Sequence, residues 1–274
     1  DLTIDDCVFE ANSATSGGAI STWFTEFIGS DLTFTGNTAS DVGGALDFYY
    51  GGAELERVVF DGNTANDEGG AISRTSYSYS SWYGLSCTDC TFTENAAGYG
   101  GGIFLDDNTD IVVLTDPVFE LNEAVWTGGG IYTDTTNLQI VGGSFTGNHA
   151  DLQHGGALYA TNTSSVYIEG VDFDANTAQD SYGAVGISGT DVTVTGCTFT
   201  DNLAGDNGGG GRIKGSTMEI TDNLFTGNIS GANGGGLYTY SSTTSAQVSG
   251  NRICGNTAAD KGGGVYLYGL SGGL

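Results

Sequence analysis

The sequence predicts an all-β fold: a right-handed, single-stranded parallel β-helix of about ten coils, each of 25–28 residues and three short strands. Three observations predict it. The first is a phrase, Phe-x-x-Asn-x-Ala, that returns along the whole chain and is followed a few residues on by Gly-Gly-Ala-Ile or a near variant. Its anchors are Phe9, Phe34, Phe60, Phe92, Phe119, Phe145, Phe173, Phe199, Phe225 and Ile253, with one longer step of 32 residues before Phe92. A fixed period in this range is the signature of a solenoid. The second is a finer pattern before each anchor. Leu2, Ile4, Cys7 and Phe9 recur as Val166, Ile168, Val171 and Phe173, and as Val192, Val194, Cys197 and Phe199. Spacing of two within a pair is strand alternation, and the step of three between pairs needs a bend. The third is composition: 48 Gly against one Pro, many turns with few lost backbone donors. No segment carries a 3.6-residue apolar stripe.

Each coil then reads in order. The apolar pair before the bend is a first short strand, the anchor lies on a second, and Gly-Gly-Ala-Ile supplies a third. One such coil is too thin to bury its own apolar face, so each strand pairs in parallel with its equivalent one repeat away. At ~4.8 Å per coil the rod is on the order of 50 Å long. Right-handedness follows from the general rule for parallel crossovers. The anchors are expected to form a column of stacked rings. Asn12, Asn37, Asn63, Asn95, Asn122, Asn148, Asn176, Asn202, Asn228 and Asn256 stand where the chain turns, placed to satisfy backbone groups and one another. All these columns are read as scaffold.

Residues 1–274 form a single domain, because each coil touches only its neighbours. The chain opens on Asp1-Leu2-Thr3-Ile4 and closes soon after Gly262-Gly263-Gly264-Val265 without a recognisable cap, so a fragment or processed part of a longer chain is expected, or a unit whose ends meet other chains. The net charge of −27, from 33 acidic and 6 basic residues, argues against nucleic acid as a partner. No apolar run approaches a bilayer-spanning length, so this segment is not expected to insert into a membrane. Cys7, Cys90, Cys197 and Cys87 take inward positions and are expected to fill the core as free thiols. A Cys87–Cys90 disulfide remains open, and a Cys-x-x-Cys zinc site lacks a second pair.

Phe60 and Asn63 followed by Gly69-Gly70-Ala71-Ile72 carry a resemblance, and variants such as Tyr182-Gly183-Ala184-Val185 keep its shape. The repeat resembles that of the chlamydial polymorphic outer-membrane proteins and related bacterial surface β-helix adhesins, over almost the whole chain. The resemblance implies a secreted or surface-exposed passenger involved in adhesion, located outside the cell or at its surface. The membrane barrel of that family is not legible here.

Function is expected on outward positions. An aromatic column follows the third strand: Phe104, Tyr132, Tyr159, Tyr238 and Tyr266, with Tyr240 and Tyr268 two residues on. It is read as a face for a glycan or a surface protein, with ladder stabilisation as the structural alternative. The longest insertion, Arg74 to Tyr83, holds Tyr77, Tyr79, Trp82 and Tyr83 and reads as a recognition loop. Trp23, Phe24, Phe48, Tyr49 and Tyr50 occupy equivalent connections and are expected to form one aromatic patch.

Acids also fall in columns. Asp106 and Asp134 lie in neighbouring coils with Asp107 and Asp110 nearby, a set suited to calcium or, as paired carboxylates, to glycoside hydrolysis. A solvated surface is the expected role, and calcium is the one cofactor the residues allow. After the anchors, Glu10, Thr35, Asp61, Thr93, Glu120, Thr146, Asp174 and Thr200 alternate acid with Thr, which keeps like charges off adjacent rungs. Arg57 is placed to bridge Asp31 and Asp89. Arg212 and Lys214 break the repeat, replacing the core end of a third strand, and are candidates for lyase chemistry. His149 and His154 are read as surface residues. The leading expectation is therefore a non-enzymatic, adhesin-like β-helix. The alternatives are a subunit that self-associates through its ends into a filament, and a polysaccharide lyase or glycoside hydrolase.

Overall fold

The computed structural model describes residues 2–76, 84–107, 111–240 and 245–269; the side chains of Asp107 and Tyr240 lie outside that description. Parallel pairing of each strand with the strand one repeat away builds three sheets that wrap one elongated core. Among the described residues there is no helix. Over the described residues the three sheets hold 17, 10 and 10 strands.

The second face carries the anchors. Phe34 pairs with Phe9 and Phe60, and the register continues rung by rung to Ile253. The rings stack at centroid distances of 4.4 to 5.1 Å from Phe9 to Phe225. Phe34 through Phe225 are fully buried. Acid and Thr alternate on the outer side of these strands as expected: Asp61 pairs with Thr35 and Thr93, and Glu120 with Thr93 and Thr146.

The third face is not the Gly-Gly-Ala-Ile strand. It is a two-residue strand directly after the Asn, such as Thr38–Ala39, whose Ala points inward and is buried. Gly-Gly-Ala-Ile instead leads into the first face, where its strand and the next coil's apolar pair share one sheet. In three consecutive coils the two fuse into single strands, Leu158–Glu169, Val185–Thr195 and Gly211–Thr221. Both segments alternate with period two, so periodicity alone does not separate them. The second Gly of the pair is obligatory by contact: a Cβ on Gly44 would lie 1.9 Å from the carbonyl oxygen of Gly70 in the next coil.

The Asn column is a hydrogen-bonded ladder. Asn122 donates through Nδ2 to Asn148 Oδ1 at 2.9 Å and to the Phe92 carbonyl at 2.8 Å, and its backbone N–H reaches the same Asn148 oxygen at 3.1 Å. Asn95 makes the equivalent two contacts to Asn122 Oδ1, both at 3.0 Å. The pattern repeats from Asn12 to Asn256. A short second ladder, from Cys197 N–H to Asn223 and on to Asn251, occupies the bend two residues before the anchor. Its sequence signal is Asn replacing the apolar residue at that position.

Four expectations need correction. Cys87 and Cys90 are joined by a disulfide, with Cα atoms 5.9 Å apart, rather than filling the core as thiols. The bend between two inward positions of one coil brings the two side chains together. Cys197 is free and buried, and that burial pushes its thiol up to about 11. Arg57 pairs with Asp31 at 2.6 Å and with Glu56, not with Asp89. Phe48 belongs to the core, against Phe27 at 6.0 Å, because alternation turns it inward between Asp47 and Tyr49. Arg74, Thr75 and Ser76 sit in the strand Ile72–Ser76 rather than in a loop, and Arg74 is fully buried with its Nε–H donating to the Gly51 carbonyl at 2.9 Å.

Replacing Asn122 by Ala removes the side-chain donor to the Phe92 carbonyl and orphans the backbone N–H of Asn95 and the Nδ2–H that Asn95 gives to Asn122, all inside the rod. Each buried unsatisfied group costs about 1–3 kcal/mol. Asn122→Ala is therefore expected to lose at least ~2 kcal/mol in urea denaturation, and Asn12→Ala at the partly exposed first rung clearly less.

Candidate functional site

The first face presents outward the column that the sequence singles out. Ser21, Asp47, Ser73, Phe104, Tyr132 and Tyr159 pair in direct register. Gly186, Arg212, Tyr238 and Tyr266 continue it. Phe104 and Tyr132 stack at 5.1 Å with planes 2° apart, Tyr132 and Tyr159 at 5.9 Å, and Tyr238 and Tyr266 at 5.5 Å. The rings lie across the sheet and cover one another's faces, so a ligand meets ring edges and hydroxyls. Phe104 is only 6% exposed, and burial holds the Tyr132 hydroxyl up at about 12. Tyr99 joins from the end of the third-face strand Ala96–Tyr99, edge-on to Tyr132 at 5.6 Å and stacked on Trp126 at 6.5 Å.

The column changes character at Gly186. Tyr182, from the preceding turn, fills the space that this glycine leaves; a Cβ on Gly186 would stand 2.6 Å from the Tyr182 ring. Tyr182 itself occupies the first-Gly slot of the repeat, with φ of +69° where the glycines of the other coils have φ between +58° and +72°. A bulky residue held there stores roughly 1–3 kcal/mol of strain. Arg212 stacks on this ring, 5.2 Å from its centroid, and donates to its hydroxyl at 2.8 Å. His154 packs against both neighbouring rings, 5.1 Å from Tyr182 and 5.7 Å from Tyr159, so it is part of the ladder rather than a surface residue. Burial lowers the His154 imidazole against the opposing pull of Asp180. Arg212 and Lys214 do not replace the core end of their strand, since Ile213 between them keeps the core position. In the sequence Tyr182 reads only as a variant of the repeat and His154 as a surface residue; the signal of their role here is a Tyr in a slot otherwise kept for Gly.

Asp106 and Asp134 are paired in register, as expected. Asn162 donates to Asp134 at 2.9 Å, and the Thr135 hydroxyl to Asp106 at 3.5 Å. Asp106 is pushed up by burial and by the Asp134 charge. Asp110 and the Asp107 side chain lie outside the described residues, as do Tyr77, Tyr79, Trp82 and Tyr83. Among the described residues no group of three or more His, Cys, Asp or Glu side chains is arranged to hold a metal ion.

A second aromatic group sits in the first two coils. Trp23 and Phe24 stack at 6.0 Å, Phe24 and Tyr50 at 4.9 Å, and Trp23 meets Tyr49 edge-on at 5.8 Å. Trp23 is 68% exposed and Phe24 64%. Phe24 and Tyr50 both hold the left-handed conformation, with φ of 52° and 56°.

Residues 77–253 match the family model described as "Right handed beta helix region". The chain belongs to the right-handed β-helix family. Residues 6–22, 31–48 and 57–73 also match the "Chlamydia polymorphic membrane protein (Chlamydia_PMP) repeat". A curated relative, "Probable autotransporter YfaL" of Escherichia coli (strain K12), is 39% identical over 88 residues, covering 30% of this chain and 7% of the relative. The chain thus spans a small part of that relative's length. No solved structure matches. These similarities make the segment an extracellular, surface-exposed stretch of the passenger type.

The acids nearest the ladder generate a pH dependence. Glu68 bridges Val42 and Tyr99, and its carboxyl is pushed from 4.5 up to about 7, first by burial, then by Asp67, Asp106, Asp41 and Asp47. Between those values the folded chain keeps a proton that the unfolded chain has lost. Its contribution to stability is therefore present at low pH and is lost as the pH rises toward 7. Glu68→Gln is expected to flatten this part of a melting-midpoint profile between pH 4.5 and about 7, and to raise the midpoint above it.

Proposed function

We propose that this segment is an adhesive surface: a non-enzymatic passenger whose exposed aromatic patch, Trp23, Phe24, Tyr49 and Tyr50, stacks on the sugar rings of a glycan. One observation carries the reading. Trp23 and Phe24 are about two-thirds exposed yet held in fixed mutual stacking. Rigid, solvent-facing aromatic rings supply large contact area with little ordering cost. The ladder of Tyr132 and Tyr159 offers no equivalent faces, because its rings cover one another. The net charge of −27 and the absence of basic residues from the patch favour a neutral glycan over a polyanion. The similarity to surface repeat proteins and to an autotransporter supports the setting, exposed to other surfaces.

The reading is tested on a glycan array with thermal melts alongside. Trp23→Ala is expected to weaken binding about tenfold, the loss typical of removing an interface anchor, with the melting midpoint unchanged. Tyr132→Ala combined with Tyr159→Ala is expected to lower the midpoint and leave binding intact. Unchanged array binding by Trp23→Ala would remove the patch from the proposal, and capture of polypeptides without glycan would replace the glycan with a protein partner.

A further inference from the structure

Three residues in two consecutive coils depart from their column consensus at one place. Tyr182 takes a slot kept for Gly, Gly186 takes a rung between aromatic residues, and Arg212 takes the next rung. The Arg212 guanidinium is positioned by Tyr182 from two directions, by its ring and by its hydroxyl. Its remaining hydrogen-bonding capacity is largely unused: Nε is buried with no acceptor. Among the described residues no carboxylate pairs with it, in a chain of 33 acids and 6 bases. Arg57, by contrast, is paired with Asp31 and Glu56, and Lys261 with Asp260 at 3.6 Å. The nearby Asp180 instead faces His154, at 3.6 Å. Arg212 is half-buried with its Nε out of water, and in a chain so rich in acids the missing counter-charge is a feature to be explained.

We infer that Arg212 is the recognition residue of a subsite for a carboxylated sugar, a uronic or sialic acid residue. One Nη1 hydrogen is committed to Tyr182; the other, with the Nη2 hydrogens, forms the planar fork that matches a carboxylate bidentately. The flanking rungs supply hydroxyls from Tyr159, Tyr182 and Tyr238, one per coil, suited to a polyhydroxylated ring. His154 packs its ring against Tyr159 and Tyr182 and turns its buried Nδ1 toward Asp180, so it supports these rings from within. The net charge of −27 repels a polyanion over long range, so the ligand that fits carries a single carboxylate on a neutral body rather than a run of acids. The site is remote in sequence from Trp23 and Phe24 and does not depend on the patch proposed above.

Titration of the protein with glucuronic acid and N-acetylneuraminic acid tests it, with glucuronic acid methyl ester and glucose as uncharged controls. The acids are expected to bind roughly tenfold more tightly than the ester, the worth of a charge-assisted hydrogen bond. Arg212→Gln is expected to erase that difference. Arg212→Lys, which keeps the charge and loses the fork, is expected to lose most of it. Tyr182→Phe removes only the hydroxyl that orients the guanidinium and is expected to weaken acid binding several-fold, so the assignment stays testable if Arg212→Gln melts early. Trp23→Ala is expected to leave these titrations unchanged, which separates this site from the aromatic patch. Equal affinity for acid and ester, no binding of either, acetate competing as well as the sugar acids, or a glutamate peptide binding more tightly than they do would each overturn the inference.

Discussion

The register between coils rests on the Asn ladder, and the rest of the rod depends on that register. Each interior Asn joins three coils: it donates to the Phe carbonyl on one side and to the next Asn on the other, while receiving two donors from the coil before it. A slip by one residue would bury all of these groups unpaired and would also turn the Phe column out of the core. The longest step shows how strictly the ladder is kept. Asn63 and Asn95 are 32 residues apart, yet their two contacts, at 2.9 and 3.0 Å, match those across steps of 26 residues. Extra residues are accommodated elsewhere in the coil, and the pairing does not register them.

A fixed register also fixes where charges meet. Thirty-three acids on a rod with a rung every ~5 Å would repel strongly if they stacked in columns. On the Phe face they do not, because Thr separates them rung by rung. The first face is less orderly. Asp106 meets Asp134 directly, Asp47 is buried beside Ser21 with its carboxyl pushed up, and Glu68, in the connection that leads into this face, carries the added field of four neighbouring acids. The regular face is organised for solubility. The irregular face is where the sequence tolerates local cost, and it is also the face that bears the aromatic ladder.

The sequence made the scaffold legible because one residue type per coil reports it. Phe, Asn and the Gly pair each mark a position that only a few side chains can fill, so their period, burial and pairing follow from spacing alone. Sheet membership was less legible, since two neighbouring segments share the same alternation and only the path of the backbone assigns them to one face. Phe48 clusters in sequence with Tyr49 and Tyr50, yet strand alternation puts it on the core side with Leu46, while Asp47 and Tyr49 lie on the opposite side, Asp47 itself covered there beside Ser21. The aromatic ladder was legible as a column. The tilt of its rings was not, and tilt decides whether a face or an edge meets a ligand.

A repetitive scaffold gives departures from the repeat an unusual meaning. Gly186 alone would leave a gap between Tyr159 and Arg212. Tyr182 with any side chain at position 186 would clash, as the 2.6 Å approach of an added Cβ shows. Arg212 without Tyr182 would lose both the ring it stacks on and the hydroxyl that fixes its orientation. The three residues therefore make physical sense only together, and their combined result is strained backbone at Tyr182 and a cation without an ion-pair partner. Neither improves the rod: a Gly at 182 and a Tyr at 186 would restore the consensus without strain. A set of interlocked changes that lowers scaffold quality while presenting one oriented guanidinium is better accounted for by something the guanidinium binds than by the needs of the fold.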